Sequence, residues 1–189
     1  MPTWEAVLDF WFGPLERRGP ARPEWFRKDA QFDGEIARRF GDLHRAAAER
    51  RLEAWRMSAA PTLALVVVLD QFSRNLYRDD PRAFAQDAYA RECARESLER
   101  GDDLGRLPVE RQFLYLPFVH GEDAADQDRG VDLMRSLESF PETRGAMQWA
   151  EKHRVIIRRF GRFPHRNAAL GRPSTPAELE FLAGPGSGF

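Results

Sequence analysis

Three polar clusters of the chain carry the residue types that bind anions and transfer protons. Arginine suits phosphates and carboxylates because its planar guanidinium donates two parallel hydrogen bonds. Histidine exchanges a proton near neutral pH, and a carboxylate can orient it or act as acid or base itself. The clusters consist of Asp70, Gln71, Arg74 and Asn75; of His120, Glu122, Asp123, Asp126 and Gln127; and of His153, Arg162, His165, Arg166 and Asn167.

The arginines of the third cluster allow two interpretations. Residues 152–172 contain seven Lys and Arg residues and no acid, whereas residues 122–132 contain five acids and only Arg129. In the structural interpretation, arginines pair with these acids and with Asp70 and fix the C-terminal segment to the core. In the functional interpretation, some arginines stay unpaired and receive a phosphate or carboxylate. Both can hold together, and an RNA-binding role is disfavoured by the nearby acids.

The three clusters predict one polar cleft, since ligand sites in helical proteins form between helices. Its ligand-binding candidates are Asp70, Gln71, Arg74, Asn75, His120, Glu122, Gln127, His153, Arg162, His165, Arg166 and Asn167. The candidates for acid and base are His120, Glu122 and Asp123. No nucleophile motif and no phosphate-binding loop occurs in the chain. His153 lies on an apolar helical stripe, where a hydrogen-bonded core histidine is the ordinary alternative.

A metal site is not expected from these residues. His120 and Glu122 are two positions apart, so a helix would not present both on one face. No His-Glu-x-x-His motif occurs, and acids such as Asp126 are common in the first turn of a helix because they complement its dipole. We expect neither a metal ion nor another cofactor.

Composition restricts the classes of partner. The net charge of -1 argues against nucleic acid and anionic membranes as partners. The longest apolar run, residues 63–69, is far shorter than the roughly 20 residues that span a bilayer. The first residues lack the basic start of a signal peptide, which predicts a cytoplasmic protein. The one cysteine, Cys93, is expected to be a buried core residue.

Hydrophobic periodicity predicts an all-α fold of about eight or nine helices, arranged as antiparallel helical hairpins. Residues 1–183 are expected to form one helical domain, and residues 184–189 a flexible tail. The pattern from Pro61 to Tyr77 is apolar on every side, which predicts a central, buried helix. We expect one helix over residues 32–57, with His44 in solvent, and a kink or an end at Pro117.

Six motifs in the chain resemble those of a known bacterial family, the domain of unknown function numbered 924. They are Val7-Leu-Asp-Phe-Trp-Phe-Gly13, Trp25-Phe26, Leu69-Asp-Gln-Phe-Ser-Arg-Asn75, Leu116-Pro-Phe-Val-His-Gly-Glu-Asp123, Gly161-Arg-Phe-Pro-His-Arg-Asn167 and Leu170-Gly-Arg172. The resemblance covers nearly the whole chain and implies a tetratricopeptide-like helical superhelix. It brings no established activity. Ser73 stands where the family pattern leads us to expect proline.

Three functional hypotheses follow. The first is a binding protein whose cleft takes a small anionic ligand or an acidic peptide. The second is a hydrolase or transferase acting on a phosphorylated or carboxylated metabolite, which Arg74, Arg162 or Arg166 would hold. The third is a purely structural network of arginines and acids, with an interaction surface elsewhere.

Overall fold

A computed structural model describes residues 1–185, and within them the chain is all-helical, without strands, as predicted. Segments α3 and α4 are parts of one continuous helix, so the described residues form eight helices. The segments are α1 (Trp4–Phe12), α2 (Ala30–Ala48), α3 (Ala59–Val66), α4 (Ser73–Leu76), α5 (Asp87–Glu99), α6 (Pro108–Val119), α7 (Ala124–Arg135), α8 (Ala146–Phe160) and α9 (Pro176–Ala183). Of the predicted tail, residues 186–189 lie outside the described residues.

The continuous helix of residues 59–76 is the centre of the fold, as its apolar pattern predicts. Every residue from Thr62 to Ser73 is buried. Pro61 lies in its first turn, where a missing N–H costs nothing. Between α3 and α4 the helix widens into a π turn over Val67–Phe72. Such turns are rare and occur often at functional sites. This one carries Asp70 and Gln71 into the protein interior.

The other helices pack around this centre, with α1, α5 and α6 against α3 and α2 against α4. From α5 to α8 each helix also packs on the next one in sequence. The α6–α7 contact needs Gly130, because a Cβ there would lie 2.9 Å from Cγ2 of Val119 and 3.1 Å from its backbone nitrogen. A layer of aromatic rings, including Trp11, Trp25 and Phe113, fixes α1 to α6.

One helix boundary differs from the prediction, and of the kink or end expected at Pro117 the end does not fall at that residue. The helix predicted over residues 32–57 ends at Ala48, and Arg50 then takes a left-handed backbone conformation with φ of 57°. Pro117 neither ends nor begins a helix, since α6 continues to Val119. Because Pro117 lies in the last turn, its missing N–H removes a single helical hydrogen bond. No helix within residues 1–185 is long and apolar enough to cross a membrane.

The expectation that His44 lies in solvent is wrong. The residue is only 4% exposed, and its Nε2 lies 2.8 Å from the Ser73 hydroxyl. That hydroxyl donates to the Leu69 carbonyl at 2.5 Å, so His44 Nε2 is the donor to Ser73. The charged residues beside His44 in sequence lie on the outer face of α2, while His44 faces α4. Cys93 is buried as expected, and burial raises the pKa of its thiol to about 12.

Candidate functional site

Parts of all three polar clusters meet beside the π turn. We call the group formed by Asp70, Arg74, Asp87, His120 and Arg166 the central cluster. Its members come from the π turn, α4, α5, the end of α6 and the segment after α8. They are joined by direct contacts of 2.7–3.2 Å between charged groups or a histidine. Residues that are far apart in sequence therefore share one buried site.

Asp70 is the deepest member, with 0% of its side chain exposed. Its carboxylate accepts hydrogen bonds from Nδ1 of His120 at 2.7 Å and from the Gln71 amide at 2.5 Å, and Nη1 of Arg74 lies 3.1 Å away. Burial alone would raise the pKa of Asp70, but the His120 and Arg74 side chains outweigh burial and hold that pKa well below its usual range. Asp70 is therefore a charged, fully hydrogen-bonded carboxylate.

His120 is the partner of Asp70 that reaches the edge of the cluster, with 14% of its side chain exposed. Burial, together with the charge of Arg74, lowers its pKa, and this outweighs the opposite effect of Asp70. The ring is consequently neutral near pH 7, and the contact with Asp70 puts its proton on Nδ1. Nε2 then carries a lone pair, and among the described residues it has no hydrogen-bond partner.

Arg74 and Arg166 share a single carboxylate, that of Asp87. Both terminal nitrogens of Arg74 donate to Asp87, at 2.9 and 3.0 Å, and Nη1 also donates to the Asp70 carbonyl at 2.7 Å. Arg166 has only the remaining contact, from its Nη1 to Oδ2 of Asp87 at 3.2 Å. Because Arg74 already takes both oxygens of Asp87, that carboxylate cannot match the Arg166 guanidinium fully.

Arg166 is the least satisfied charged group of the site. Only 6% of the residue is exposed, and its guanidinium lies between the rings of Phe84 and Phe163, 4.6 and 4.5 Å from their centroids. Its Nε is buried and donates to no atom of the described residues. Burial, and then the like charge of Arg74, lower the pKa of Arg166 to about 10.

Two further histidines lie next to the central cluster. The His153 ring is 6.3 Å from that of His120 and 5.5 Å from that of Phe163, and the His165 ring is 5.5 Å from Phe163. Nδ1 of His153 donates to the Trp149 carbonyl at 2.8 Å. Burial lowers the pKa of His153 to about 3 and that of His165 to about 4. Both rings are therefore neutral at pH 7.

A second group lies beside the central cluster, and we call it the C-terminal clasp: Glu122, Arg162, Asn167, Arg172 and Glu178. Arg162 donates to both oxygens of Glu178, at 2.6 and 2.8 Å. Arg172 does the same to Glu122, at 2.7 and 3.0 Å, and also donates to Asn167. Glu122 accepts a further hydrogen bond from the backbone of Phe163. The clasp fastens α9 and the preceding loop to the start of α7. The Arg172–Glu122 pair agrees with the structural interpretation, whereas Arg162 pairs with Glu178, outside the predicted acidic block, and Arg166 pairs with Asp87 instead of Asp70.

Three further candidates from the sequence have hydrogen-bond partners outside both groups. Asn75 donates to Asp33 at 2.7 Å, and Gln127 donates to the carbonyls of Val119 and Gly121. Asp123 caps α7 by accepting from the backbone of Ala125 and Asp126. These side chains satisfy backbone or neighbouring groups and hold the elements in place. Within residues 1–185 no three His, Cys, Asp or Glu side chains are grouped so that they could hold a metal ion.

Asp87 and Phe84 are functional candidates that the sequence patterns missed. Both precede or begin the alanine-rich helix α5, whose small residues drew attention to helix packing instead. Asp87 was hard to recognise from the sequence, because an acid in the first turn of a helix is ordinarily explained by the helix dipole. Only the approach of α5 to α4 and to the segment after α8 makes Asp87 a shared partner of two arginines.

Two surface depressions lie away from the central cluster. One runs along the clasp beside Arg162 and Glu178, and the other lies beside α1 near Phe10 and Arg39. The central cluster itself reaches the surface through the partly exposed side chains of His120 and Arg74.

The fold and the cluster define a class: an all-helical protein with a buried site of histidine, arginine and carboxylate. The chain belongs to a family described as bacterial proteins of unknown function, DUF924, whose model matches residues 7–186. It is similar to a solved structure from Agrobacterium tumefaciens, the protein of unknown function ATU0120, at 42% identity and a TM-score of 0.85. That similarity covers 95% of this chain and 96% of the other. No functionally curated protein matches the chain.

Proposed function

We propose that this protein binds a small anion, a phosphate or a carboxylate, at the central cluster, with Arg166 as its principal donor. The observation that carries the proposal is the poor satisfaction of Arg166. A guanidinium has five N–H donors, and among the described residues only the contact with Asp87 uses one of them. A buried arginine with spare donors is costly unless a further partner completes its hydrogen bonds.

The surroundings of Arg166 favour an anion over a neutral ligand. The lowered pKa of Arg166 means that its charge is destabilised by burial and by Arg74, and an added negative charge would reverse that effect. The flanking rings of Phe84 and Phe163 hold the guanidinium plane in a fixed orientation. A preorganised planar donor of this kind suits the paired oxygens of a carboxylate or phosphate.

Charge balance predicts that the protein takes up a proton when it binds the anion. Arg74 and Arg166 offset Asp70 and Asp87, so a bound anion leaves the site negative unless a neighbouring histidine is protonated. A nearby anion raises a histidine pKa. Affinity for the anion should therefore increase as the pH falls, and titration calorimetry in buffers of different ionisation enthalpy should detect the proton uptake.

The test is a thermal-shift panel of inorganic phosphate and small mono- and dicarboxylates. An anion at 100 times its dissociation constant should stabilise the protein by about 2.7 kcal/mol. Arg166→Met should abolish this stabilisation, because methionine fills the space between Phe84 and Phe163 but donates no hydrogen bond. Arg162→Met, in the clasp, is the matched control and should still respond.

The proposal fails if no anion stabilises the wild-type protein, or if Arg166→Met and Arg162→Met respond alike. Stability alone adds a second criterion. Since Asp87 keeps two hydrogen bonds from Arg74, Arg166→Met should leave the unliganded protein as stable as the wild type or more so. A large loss of stability would instead favour a fastening role for Arg166.

The proposal extends to an acidic peptide as the source of the anion, in which case a carboxylate side chain would reach Arg166. A binding role also agrees with the tetratricopeptide-like arrangement that the family resemblance implies. We propose this arrangement, and a cytoplasmic location, for the protein. The packing of each helix from α5 to α8 on its neighbour in sequence supports that arrangement.

A further inference from the structure

We infer that His120 is the general base of an ester hydrolase, with Asp70 as its positioning residue, and that the substrate is a carboxylic ester carrying a second, anionic group. This inference rests on the proposed function, because the anion site at Arg166 would hold the charged end of the substrate. Three features of the described residues support it: the geometry of the Asp70–His120 pair, the π turn that places it, and the contacts that connect it to Arg166.

The Asp70–His120 pair has the arrangement that a histidine base requires. A buried carboxylate bonded to Nδ1 fixes the tautomer and the orientation of the ring and stabilises the imidazolium that forms during the reaction. Here the Nδ1 to Oδ1 distance is 2.7 Å, and Asp70 is itself held by Gln71 and Arg74. The ring therefore presents Nε2, with its lone pair, at the edge of the cluster.

Comparison with His44 shows that burial beside a polar partner does not by itself give this arrangement. The Nε2 of His44 is hydrogen-bonded to the Ser73 hydroxyl, and His44 is buried. His120 uses Nδ1 on a carboxylate and has 14% of its side chain exposed. Nε2 of His120 has no hydrogen-bond partner among the described residues, whereas Nε2 of His44 is held by Ser73. The lowered pKa of His120 also keeps it neutral, and so able to accept a proton, at pH 7.

The other acid–base candidates are excluded by their contacts. Both oxygens of Glu122 are held by Arg172, and one also accepts from the Phe163 backbone. Asp123 caps α7. Asp70 is fully buried, so it cannot touch a substrate and acts only through His120.

Arg74 connects the base to the anion site. Its Nη1 lies 3.1 Å from Asp70 and 2.9 Å from Asp87, and Asp87 is the carboxylate that Arg166 contacts. One guanidinium therefore separates the carboxylate that orients His120 from the carboxylate that holds Arg166. A charged end bound at Arg166 would therefore belong to the same connected group of side chains as the base.

The proposed reaction consumes one water molecule. Nε2 of His120 takes a proton from water while the water oxygen attacks the ester carbonyl carbon, and the carbonyl electron pair moves to oxygen. The tetrahedral intermediate then expels the alcohol oxygen with the bonding electron pair, and the imidazolium returns the proton to it. The products are a carboxylic acid, which ionises, and an alcohol, and His120 is neutral again.

The experiment compares the 4-nitrophenyl monoester of adipic acid, which is anionic, with 4-nitrophenyl hexanoate, its uncharged match. We expect the wild-type protein to hydrolyse the anionic ester in preference to the neutral one. His120→Gln should lower the rate by about 100-fold or more. It should still be stabilised by inorganic phosphate, because Arg166 is intact. Arg162→Met is the control and should hydrolyse the anionic ester at the wild-type rate.

The pH profile tests the role of Asp70. The rate should rise with pH as His120 loses its proton and then level off. Asp70→Asn removes a charge that raises the pKa of His120, so the rising limb should move to lower pH and the plateau should fall. If Asp70 had only a structural role, Asp70→Asn would lower the plateau of the rate without shifting the pH at which the rate rises. In ¹⁵N NMR of the wild type, the His120 proton should lie on Nδ1, and a proton on Nε2 would contradict the inference.

The outcomes separate the two proposals. Stabilisation by phosphate without hydrolysis of either ester overturns the assignment of His120 as a base and leaves the anion site intact. Equal hydrolysis of both esters without stabilisation by phosphate overturns the anion site, and with it the inferred substrate class. Full activity of His120→Gln overturns the assignment of the base directly.

Discussion

The C-terminal clasp and the central cluster contain the same residue types but pair them differently. In the clasp, Arg162 and Arg172 each face a carboxylate of their own and donate to both of its oxygens. In the central cluster, Arg74 and Arg166 must share Asp87. Whether each arginine has a carboxylate of its own or shares one thus distinguishes a fastening from a candidate binding site.

Arg162 and Arg166 make this contrast within one turn of sequence. Arg162 lies at the surface of the clasp, where its Nε and Nη2 donate to Glu178, whereas Arg166 lies between two aromatic rings with its Nε unmatched. An arginine with a carboxylate of its own has its charge balanced and contributes to stability. An unmatched, buried one lowers stability and keeps donors available. The following predictions test whether this difference is real.

The largest effect is expected from Asp87→Ala, which leaves the buried Arg166 and the partly buried Arg74 without their shared carboxylate. Breaking a buried ion pair by removing one partner costs about 3–5 kcal/mol. Urea denaturation should show a loss of this size in the free energy of unfolding. The control is Asp42→Ala, because Asp42 forms an exposed pair with Arg45 and its removal should change little. Similar losses for the two variants would contradict the comparison.

Acid should weaken the two regions in different pH windows. His165, beside the central cluster, has a pKa lowered from 6.5 to about 4, so the unfolded chain binds its proton first. Stability that is full above pH 6.5 should fall as the pH drops toward 4, by about 3 kcal/mol for this histidine. In the clasp, the pKa of Glu178 is lowered from 4.5 to about 2 by hydrogen bonds from Arg162 and the Thr175 backbone. Its contribution is complete above pH 4.5 and is lost only below that value.

The measurement is the free energy of unfolding between pH 7 and pH 4. His165→Gln should flatten the curve between pH 6.5 and 4.5, and Arg162→Ala should leave that part of the slope unchanged. If Arg162→Ala flattens this window as much as His165→Gln does, the pH dependence does not belong to the central cluster.

A smaller effect is expected from Arg162→Ala at pH 7. Glu178 loses both hydrogen bonds from Arg162 but keeps those from the Thr175 backbone and Asn167. Tm should fall by a few degrees, with α9 loosened first. Hydrogen exchange should locate the change in α9 and leave the amides of the central helix as protected as in the wild type. Loss of protection throughout the central helix would show that the two regions are one unit.

The smallest effect is expected from Arg158→Ala, four positions before Arg162. Arg158 contacts Asp128 at 2.8 Å, but both side chains are about half exposed. Exposed pairs contribute little because solvent screens them and ordering the side chains offsets the attraction. Tm should stay within measurement error, and the stabilisation by phosphate proposed for Arg166 should persist. A clear fall in Tm would contradict a ranking based on burial and matched donors.

Much of this molecule was predictable from local pattern. Apolar spacing predicts the helices, and the run from Pro61 predicts a buried centre. The excess of arginine in one segment and of acid in another predicts the clasp, of which Arg172 and Glu122 are one pair. The resemblance to the family is confirmed as well. These features follow from residues near one another in sequence or from gross charge balance.

Other features depended on contacts between distant segments. His44 looks solvated beside its charged neighbours, yet α2 turns it toward Ser73. Asp87 looks like an ordinary first-turn acid, yet the approach of α4 and Arg166 makes it the shared carboxylate. Asn75 and Gln127 resemble site residues but bind Asp33 and backbone carbonyls. The local sequence pattern does not encode these contacts, because the two partners of each pair lie on different structural elements or one of them lies on a helix face that the pattern did not predict.

The sequence by itself determined the all-helical class, the buried central helix, and that arginines and acids are present in nearly matching numbers. It could not determine how those charges are shared, because pairing depends on distances between segments that meet only after packing. The tertiary structure decided that Arg162 has a carboxylate to itself while Arg166 shares one, and that His120 meets Asp70 through a π turn. Hydrogen bonding and desolvation act over a few ångströms. The packing of the helices therefore decides which arginine fastens the structure and which is a candidate for binding a ligand.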